Sequence, residues 1–70
     1  MNSPQLFQYA ILWHPNDKQK KEENLKSTIL KELTTILAAD EKSAFLSAGM
    51  EIPLEYKDEL DQVQIAIRPF

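Results

Sequence analysis

Apolar and polar residues alternate near both ends of this chain, and the alternation predicts a β-strand at each end. Over residues 5–14, one face of an extended chain carries only large apolar side chains, namely Phe7, Tyr9, Ile11 and Trp13. Over residues 62–68, one face carries Val63, Ile65 and Ile67. A helix with Ser3 as its cap and Pro4 in its first turn is the alternative for the first segment. Pro15 and Pro69 follow the two segments, and we expect them to end the strands.

The middle of the chain divides into a polar run, an ambiguous segment and two helical segments. Residues 16–24 contain no apolar side chain, which predicts a loop or a mobile connector. Residues 25–39 have apolar side chains at helical spacing but are rich in β-branched residues; we predict a strand bent near Leu33, with a helix as the alternative. Asp40 is typical of a helix cap and predicts a helix over residues 41–50. Pro53 favours a second short turn over residues 54–60.

Together these elements predict one α+β domain over residues 1–70, of ββαβ order. It would have a three-stranded sheet, with one main helix and a short second helical turn packed on one face. The helix connects the second and third strands, so these would be parallel if they are neighbours. We expect the core to contain Phe7, Tyr9, Ile11, Ala44, Phe45, Leu46, Val63, Ile65 and Ile67.

The length of the chain limits its stability. A folded chain of 8.1 kDa exposes about 4,500 Å² and buries about 60% of its unfolded surface. The apolar part of that burial contributes on the order of 100 kcal/mol, whereas ordering 70 residues costs about 105 kcal/mol. Because the two quantities nearly cancel, we expect the domain to gain stability from a partner.

Composition and charge exclude several classes of function. The sequence has no Cys and a single Gly, Gly49, so disulfides, Cys-ligated zinc and Gly-rich phosphate loops are excluded. A net charge of -3 argues against a nucleic-acid-binding protein. Residues 17–31 carry five Lys against three acids, and residues 40–61 carry seven acids against two Lys. This polarity fits either two solvated faces or electrostatic docking.

No segment resembles a signal peptide or a membrane-spanning helix, so we expect a cytoplasmic location by default. We also expect no cofactor.

Few residues offer chemistry. His14 is the sole imidazole, with Asp17 as its nearest acid in sequence, and it is typical of a surface residue at a strand end. The acids near the second helical turn lack the loop spacing of a calcium site and are typical of a solvated face. Stacking of nucleic-acid bases on Tyr9 and Trp13 is less favoured than their burial in the core. We therefore predict no catalytic, cofactor-binding or metal-binding residue.

The carboxyl terminus is the sharpest feature of the sequence. A final strand followed by Arg68, Pro69 and Phe70 offers backbone pairing together with two residue types that anchor interfaces, although Phe70 could instead fold back on its own sheet. The candidate interface residues are Trp13, His14, Arg68, Phe70, Glu55, Asp58 and Glu59.

Several segments also carry a resemblance to a known class of protein. They are residues 6–10 (LFQYA), 13–15 (WHP), 35–40 (TILAAD), 51–56 (EIPLEY) and 60–70 (LDQVQIAIRPF). In these segments the chain resembles short accessory proteins encoded by tailed bacteriophages. The resemblance covers most of the chain except the Lys/Glu-rich loop, contains no catalytic motif and implies no activity. It implies a virion component or a small intracellular factor.

These observations favour a non-enzymatic interaction protein. We expect a phage-type assembly or virion-associated protein that associates with itself or with a larger viral or host protein. Its contacts would be the sheet edges and the aromatic carboxyl terminus. The alternative is a small acidic inhibitor or adaptor that binds a host protein through residues 40–61. Neither hypothesis includes nucleic acid or membrane as a partner.

Overall fold

The computed structural model describes residues 3–70 and has the predicted α+β fold. Its elements, in chain order, are β1 (Gln5–Trp13), α1 (Asp17–Glu22), β2 (Thr28–Ala38), α2 (Glu41–Gly49), a 3-10 segment (Leu54–Gln62) and β3 (Val63–Pro69). The ambiguous segment is therefore a strand, as predicted. The main helix and the second helical turn also lie where the proline and cap signals place them.

The three strands form one sheet in the order β2-β1-β3. Both outer strands are antiparallel to β1, so β2 and β3 run parallel to each other but are not neighbours. The condition for a parallel pair is therefore not met, because β1 lies between the two strands that the helical connection joins. Phe70 extends the pairing past Pro69, since its backbone N–H donates to the carbonyl of Leu6 at 2.9 Å.

Strand β2 is irregular in the region where the bend was predicted. Its register against β1 shifts between the pairs Tyr9/Thr34 and Ile11/Lys31, and shifts again before Leu12/Ile29. Each shift places an extra residue on β2, which locally interrupts the hydrogen-bond ladder and increases the twist. The outer edge of β2 is therefore not a regular row of donors and acceptors.

The core lies between the sheet and α2. It includes the alternate β1 residues Phe7, Tyr9, Ile11 and Trp13, together with Ala44, Ala48 and Ile52. Ile11, Ala44 and Ala48 are fully buried, and the two alanines allow α2 to lie close on the sheet. Tyr56 of the 3-10 segment packs on the same side, with its ring centroid 6.1 Å from that of Trp13.

Two predicted core residues of α2 are not in the core: Phe45 lies at the side of the helix, where it lines a groove with Ile65, and Leu46 lies on the outer side. Phe45 is 46% exposed and Leu46 is 61% exposed. The helix turns by about 100° per residue, so a helix that presents Ala44 and Ala48 to the sheet turns the following residues away from it. Ala44 is buried as predicted, and the prediction was wrong for Phe45 and Leu46 because three consecutive residues of a helix do not face the same sheet.

The β3 residues of the predicted core are only partly buried. Val63, Ile65 and Ile67 pack against the core cluster but keep part of their surface exposed. They lie on an outer strand, where a single neighbouring strand covers one side. The core of this domain is thus centred on β1, the middle strand.

The polar run is not the loop that was predicted, because residues 17–22 form α1. Its N-terminus is a capping box: Asn16 Oδ1 accepts from the Gln19 N–H at 2.8 Å, and Gln19 Oε1 accepts from the Asn16 N–H at 2.9 Å. The Gln62 side-chain amide donates to Gln19 Oε1 at 2.7 Å and to the His14 carbonyl at 2.9 Å. These bonds tie α1 to the end of the 3-10 segment.

Helix α2 begins at the cap that the sequence indicates. The Ser43 N–H donates to Asp40 Oδ1 at 2.7 Å. This bond, with a further one from the Ser43 side chain, holds the pKa of the Asp40 carboxyl below its ordinary value. The cap fixes where the chain leaves β2 and turns across the sheet.

Candidate functional site

One candidate surface of the molecule is the sheet face that α2 does not cover, which we call the open face. By alternation along β1, it carries the residues between those of the core. The residues of β2 and β3 that pair with these β1 residues lie on the same face. Its apolar members are Leu6, Ala10, Leu12, Ile29, Leu33, Leu37 and Ala66.

Nothing in the described chain covers this face. Within residues 3–70, α2 contacts all three strands and the 3-10 segment contacts β3. These two elements pack on the core side, through Ala44, Ala48 and Tyr56. Leu37 and Ile29 are each 61% exposed, and Leu33 is 56% exposed. Exposed apolar residues that occur singly are ordinary, whereas several on one sheet face, here divided by the polar row of Gln8, Thr35 and Arg68, are typical of a surface that binds something.

An apolar row crosses one end of the open face. Leu37 of β2 is paired with Leu6 of β1, and the Phe70 backbone N–H bonds to the Leu6 carbonyl on the other side. The Phe70 side chain is 72% exposed and therefore does not fold into the core. The candidate Phe70 thus lies beside two apolar residues that sequence reasoning did not connect with it.

Behind this row, Arg68 and the middle of the face form a shallow depression. The Arg68 Nε and Nη2 atoms donate to Gln8 Oε1 at 3.1 Å and 2.9 Å. Ala10 is paired with Ala66, and the small side chains leave an open space of about 320 Å³ bordered by Leu33 and Arg68. The candidate Arg68 is therefore part of the same surface as Phe70.

His14 lies at the opposite end of the open face and is held on both sides of its ring. Its Nδ1 is 2.8 Å from Ser27 Oγ, and its Nε2 is 2.7 Å from Gln64 Oε1. The neutral tautomer with the proton on Nε2 satisfies both bonds, because Nε2 donates to Gln64 and Nδ1 accepts from Ser27.

This hydrogen-bond order is also that of a nucleophile, a base and an orienting group. Gln64 is neutral, however, and does not stabilise an imidazolium ion as a carboxylate does. The arrangement of His14 therefore joins the start of β2 to β3, and it is better suited to holding the ring in place than to catalysis.

Trp13 contributes to the core and not to a surface. Its side chain is 6% exposed, so it is not accessible to a partner in this fold. Its Nε1–H is buried without a hydrogen-bond partner among the described residues. An unsatisfied buried donor costs about 1–3 kcal/mol, and the packing of the ring against Tyr56 and the sheet has to offset that cost.

The three acidic candidates belong to the other layer of the molecule. Glu55 and Asp58 are exposed on the 3-10 segment, whereas Glu59 is partly buried and lies 3.5 Å from the Gln19 amide nitrogen. Beside this segment, an apolar groove of about 300 Å³ is lined by Phe45, Gly49, Ile52, Lys57, Leu60, Val63 and Ile65. The structure therefore separates the acidic candidates from Arg68 and Phe70.

Metal binding and membrane crossing each require a particular arrangement of residues. Within residues 3–70, no group of three or more His, Asp or Glu side chains is placed to hold a metal ion. None of the helices in that range has the length and apolar content needed to cross a membrane. Comparisons of the chain with protein-family models, curated proteins and solved structures find no match.

Proposed function

We propose that this chain is a non-enzymatic protein-interaction module of the phage-type assembly or virion-associated kind. It acts through the open face of its sheet, the adjoining strand edges and its aromatic carboxyl terminus. The observation that carries the proposal is the uncovered apolar surface around Leu6, Leu37 and Phe70. A surface of this kind loses its contact with water only when another macromolecule covers it.

The position of the carboxyl terminus supports this proposal. Arg and aromatic residues are the side chains that most often dominate the energy of protein interfaces. Arg68 is held in place by Gln8, and Phe70 is held by its backbone bond to Leu6. The Arg68 side chain and the Phe70 backbone are therefore positioned before a partner arrives, which lowers the entropy cost of binding.

A matched pair of variants tests the proposal. Leu37→Lys places a charge on the open face, whereas Leu54→Lys makes the same change at an 85% exposed position on the other layer. Each tagged protein is used as bait in the native host, and the retained proteins, including untagged copies of this chain, are identified by mass spectrometry. We expect Leu54→Lys to keep the partners of the unchanged chain and Leu37→Lys to lose them. Equal retention by both variants would refute a role for the open face.

Removal of Pro69 and Phe70 tests the terminus separately. The truncated chain loses one backbone bond to Leu6 and one end of the apolar row, but no residue of the buried core. We expect it to stay folded, as judged by circular dichroism, and to bind its partner more weakly. Unchanged binding would remove the terminus from the interface.

A second candidate function is an acidic inhibitor or adaptor that acts through residues 40–61. It is favoured by the exposed acids Glu55 and Asp58 on the 3-10 segment and by the apolar groove of the same layer, although the charged residue that lines this groove is Lys57. Such binding would weaken as salt rises, and Glu55→Gln with Asp58→Asn would weaken it while Leu37→Lys would not.

A further inference from the structure

We infer that the open face is covered by the open face of a second copy of this chain, so that two sheets pack into a six-stranded sandwich. This inference rests on the proposed function and names the partner of the same surface. Two antiparallel sheets that pack through their apolar faces are a common and stable arrangement. Here each chain supplies one sheet, with its α2 on the outside.

The exposed area supports a partner of this size. The chain exposes 5294 Å², whereas a compact monomer of 8.1 kDa exposes about 4,500 Å². The excess of about 800 Å² belongs to the whole elongated chain, of which the open face is one part, and it is as large as the share of one partner in a standard protein interface. The radius of gyration of 14.0 Å also exceeds the value of about 11 Å for a compact domain of 70 residues.

The sheet edges are less suited to self-association than the open face. Both register shifts of β2 interrupt the regular spacing of its backbone groups. Pro69 has no N–H to offer at the end of β3. Natural proteins use such features to limit pairing between strand edges. The outer edge of β3 is regular up to Pro69, so edge pairing remains the competing arrangement, and face-to-face packing is favoured over it because it covers the exposed apolar residues of the open face.

The shape of the open face is compatible with packing against the open face of a second copy. The row at Leu6 and the row at Leu12 are six residues apart, about 20 Å along β1, with the depression at Ala10 between them. A two-fold arrangement can place the larger side chains of one copy over the depression of the other. Arg68 is charged and Gln8 does not neutralise it, so in the sandwich its guanidinium, which lies on the outer strand β3, has to remain in contact with water at the margin of the interface.

The charge of the chain gives this dimer a distinctive salt dependence. Each copy has a net charge of -3, so two copies repel each other at long range. Salt screens that repulsion and leaves apolar contact intact, so the dimer should tighten as salt rises. Head-to-tail docking of the basic residues 17–31 on the acidic residues 40–61 would instead weaken.

The test is sedimentation equilibrium of the purified full chain at about 50 mM and about 500 mM NaCl, over a wide range of protein concentration. We expect a species of twice 8.1 kDa that dissociates on dilution and is at least as stable at high salt. Leu37→Lys and, independently, Ile29→Lys should raise the dissociation constant by about tenfold or more, since each buries a charge in the interface. Leu54→Lys should leave it unchanged.

A chain that stays monomeric at all concentrations would overturn the inference. Equal effects of Leu37→Lys and Leu54→Lys, or a dimer that weakens with salt, would also overturn it.

A measurement on the unchanged chain tests the inference even if the variants do not fold. On dilution, methyl resonances of Leu6, Leu12 and Leu33 should shift more than those of Leu46 and Leu54. Shifts confined to Leu46 and Leu54 would refute the sandwich.

Refutation of the dimer can be distinguished from refutation of the proposed function. If the chain is monomeric but, as bait, captures a different protein that Leu37→Lys no longer captures, the inference of a second copy is refuted and the proposed interaction function is supported. Capture that Leu37→Lys does not affect would refute the module itself.

Discussion

Adjacent residues of β1 provide a sharp test of the two sheet faces. Ile11 is fully buried under α2, whereas Leu12 lies partly exposed on the open face. We expect Ile11→Ala to destabilise the monomer strongly and Leu12→Ala to affect it little. The two substitutions shorten aliphatic side chains of equal size at consecutive positions, so the difference between them reports the environment of each face.

The magnitude for Ile11 follows from its burial. Ile11→Ala removes three carbons from a site with no exposed surface, which forfeits about 2.4 kcal/mol of transfer free energy at about 0.8 kcal/mol per methylene. The unfilled part of the cavity raises the loss to about 3–4 kcal/mol. A 70-residue domain has a total stability of about 3.5–10 kcal/mol, so the variant would lose a third or more of it. The loss for Leu12→Ala in the monomer should be about 1 kcal/mol.

Urea unfolding followed by Trp13 fluorescence measures both losses, first at a protein concentration where the chain is monomeric. The experiment is then repeated at a concentration where it is dimeric. The loss for Leu12→Ala should grow with concentration, because folding is then coupled to association, whereas the loss for Ile11→Ala should remain large throughout. Equal losses for the two variants in the monomer would refute the assignment of the faces.

Three further substitutions test particular contacts. A Cβ at Gly49 would lie 4.0 Å from Ile65 Cδ1 and the residue has no positive φ, so Gly49→Ala should stabilise α2 by about 0.5–1 kcal/mol in urea unfolding; a loss would contradict this. Asp40→Ala should lower the melting temperature at neutral pH. Because folding lowers the pKa of that carboxyl, the deficit should vanish as pH falls through the lowered pKa, and a pH-independent deficit would exclude the cap. Ile65→Asp buries an unpaired carboxylate against the core and should leave the chain largely unfolded by circular dichroism, so a folded variant would disprove its packing.

The strand β2 shows how far the hydrophobic pattern could determine the fold. Ile29, Leu33 and Leu37 recur every four residues, which places them on one face of a helix and also on one face of a strand. The pattern therefore could not decide between the two structures. The β-branched residues and the cap at Asp40 did decide it, because both argue against a helix that continues through this region.

Helix α1 was missed because the prediction relied on apolar periodicity. A helix with no buried residue has no such pattern, and α1 buries none. The available signal was the pair Asn16 and Gln19, whose spacing is that of a capping box. Capping residues therefore provide information about short polar helices that hydrophobic patterning cannot.

The open face could be predicted only in part. The alternation of β1 assigned Leu6 and Leu12 to the face opposite the aromatic residues, and the predicted fold placed both helical segments on one face, but the sequence did not show which residues of the outer strands lie beside Leu6. That conclusion needed the strand order, which places Leu37 and Phe70 on either side of Leu6. Strand order depends on contacts between residues distant in sequence, and a single sequence does not record them.

The low stability expected of a 70-residue chain and its uncovered apolar face together make the stability depend on association. The estimated free energies of burial and ordering nearly cancel for the isolated chain, so any further burial has a large effect on the folded population. Covering the open face adds such burial without ordering additional backbone. The stability of the domain should therefore rise with its own concentration, and the residues that mediate association should also be those that keep the protein folded at high concentration.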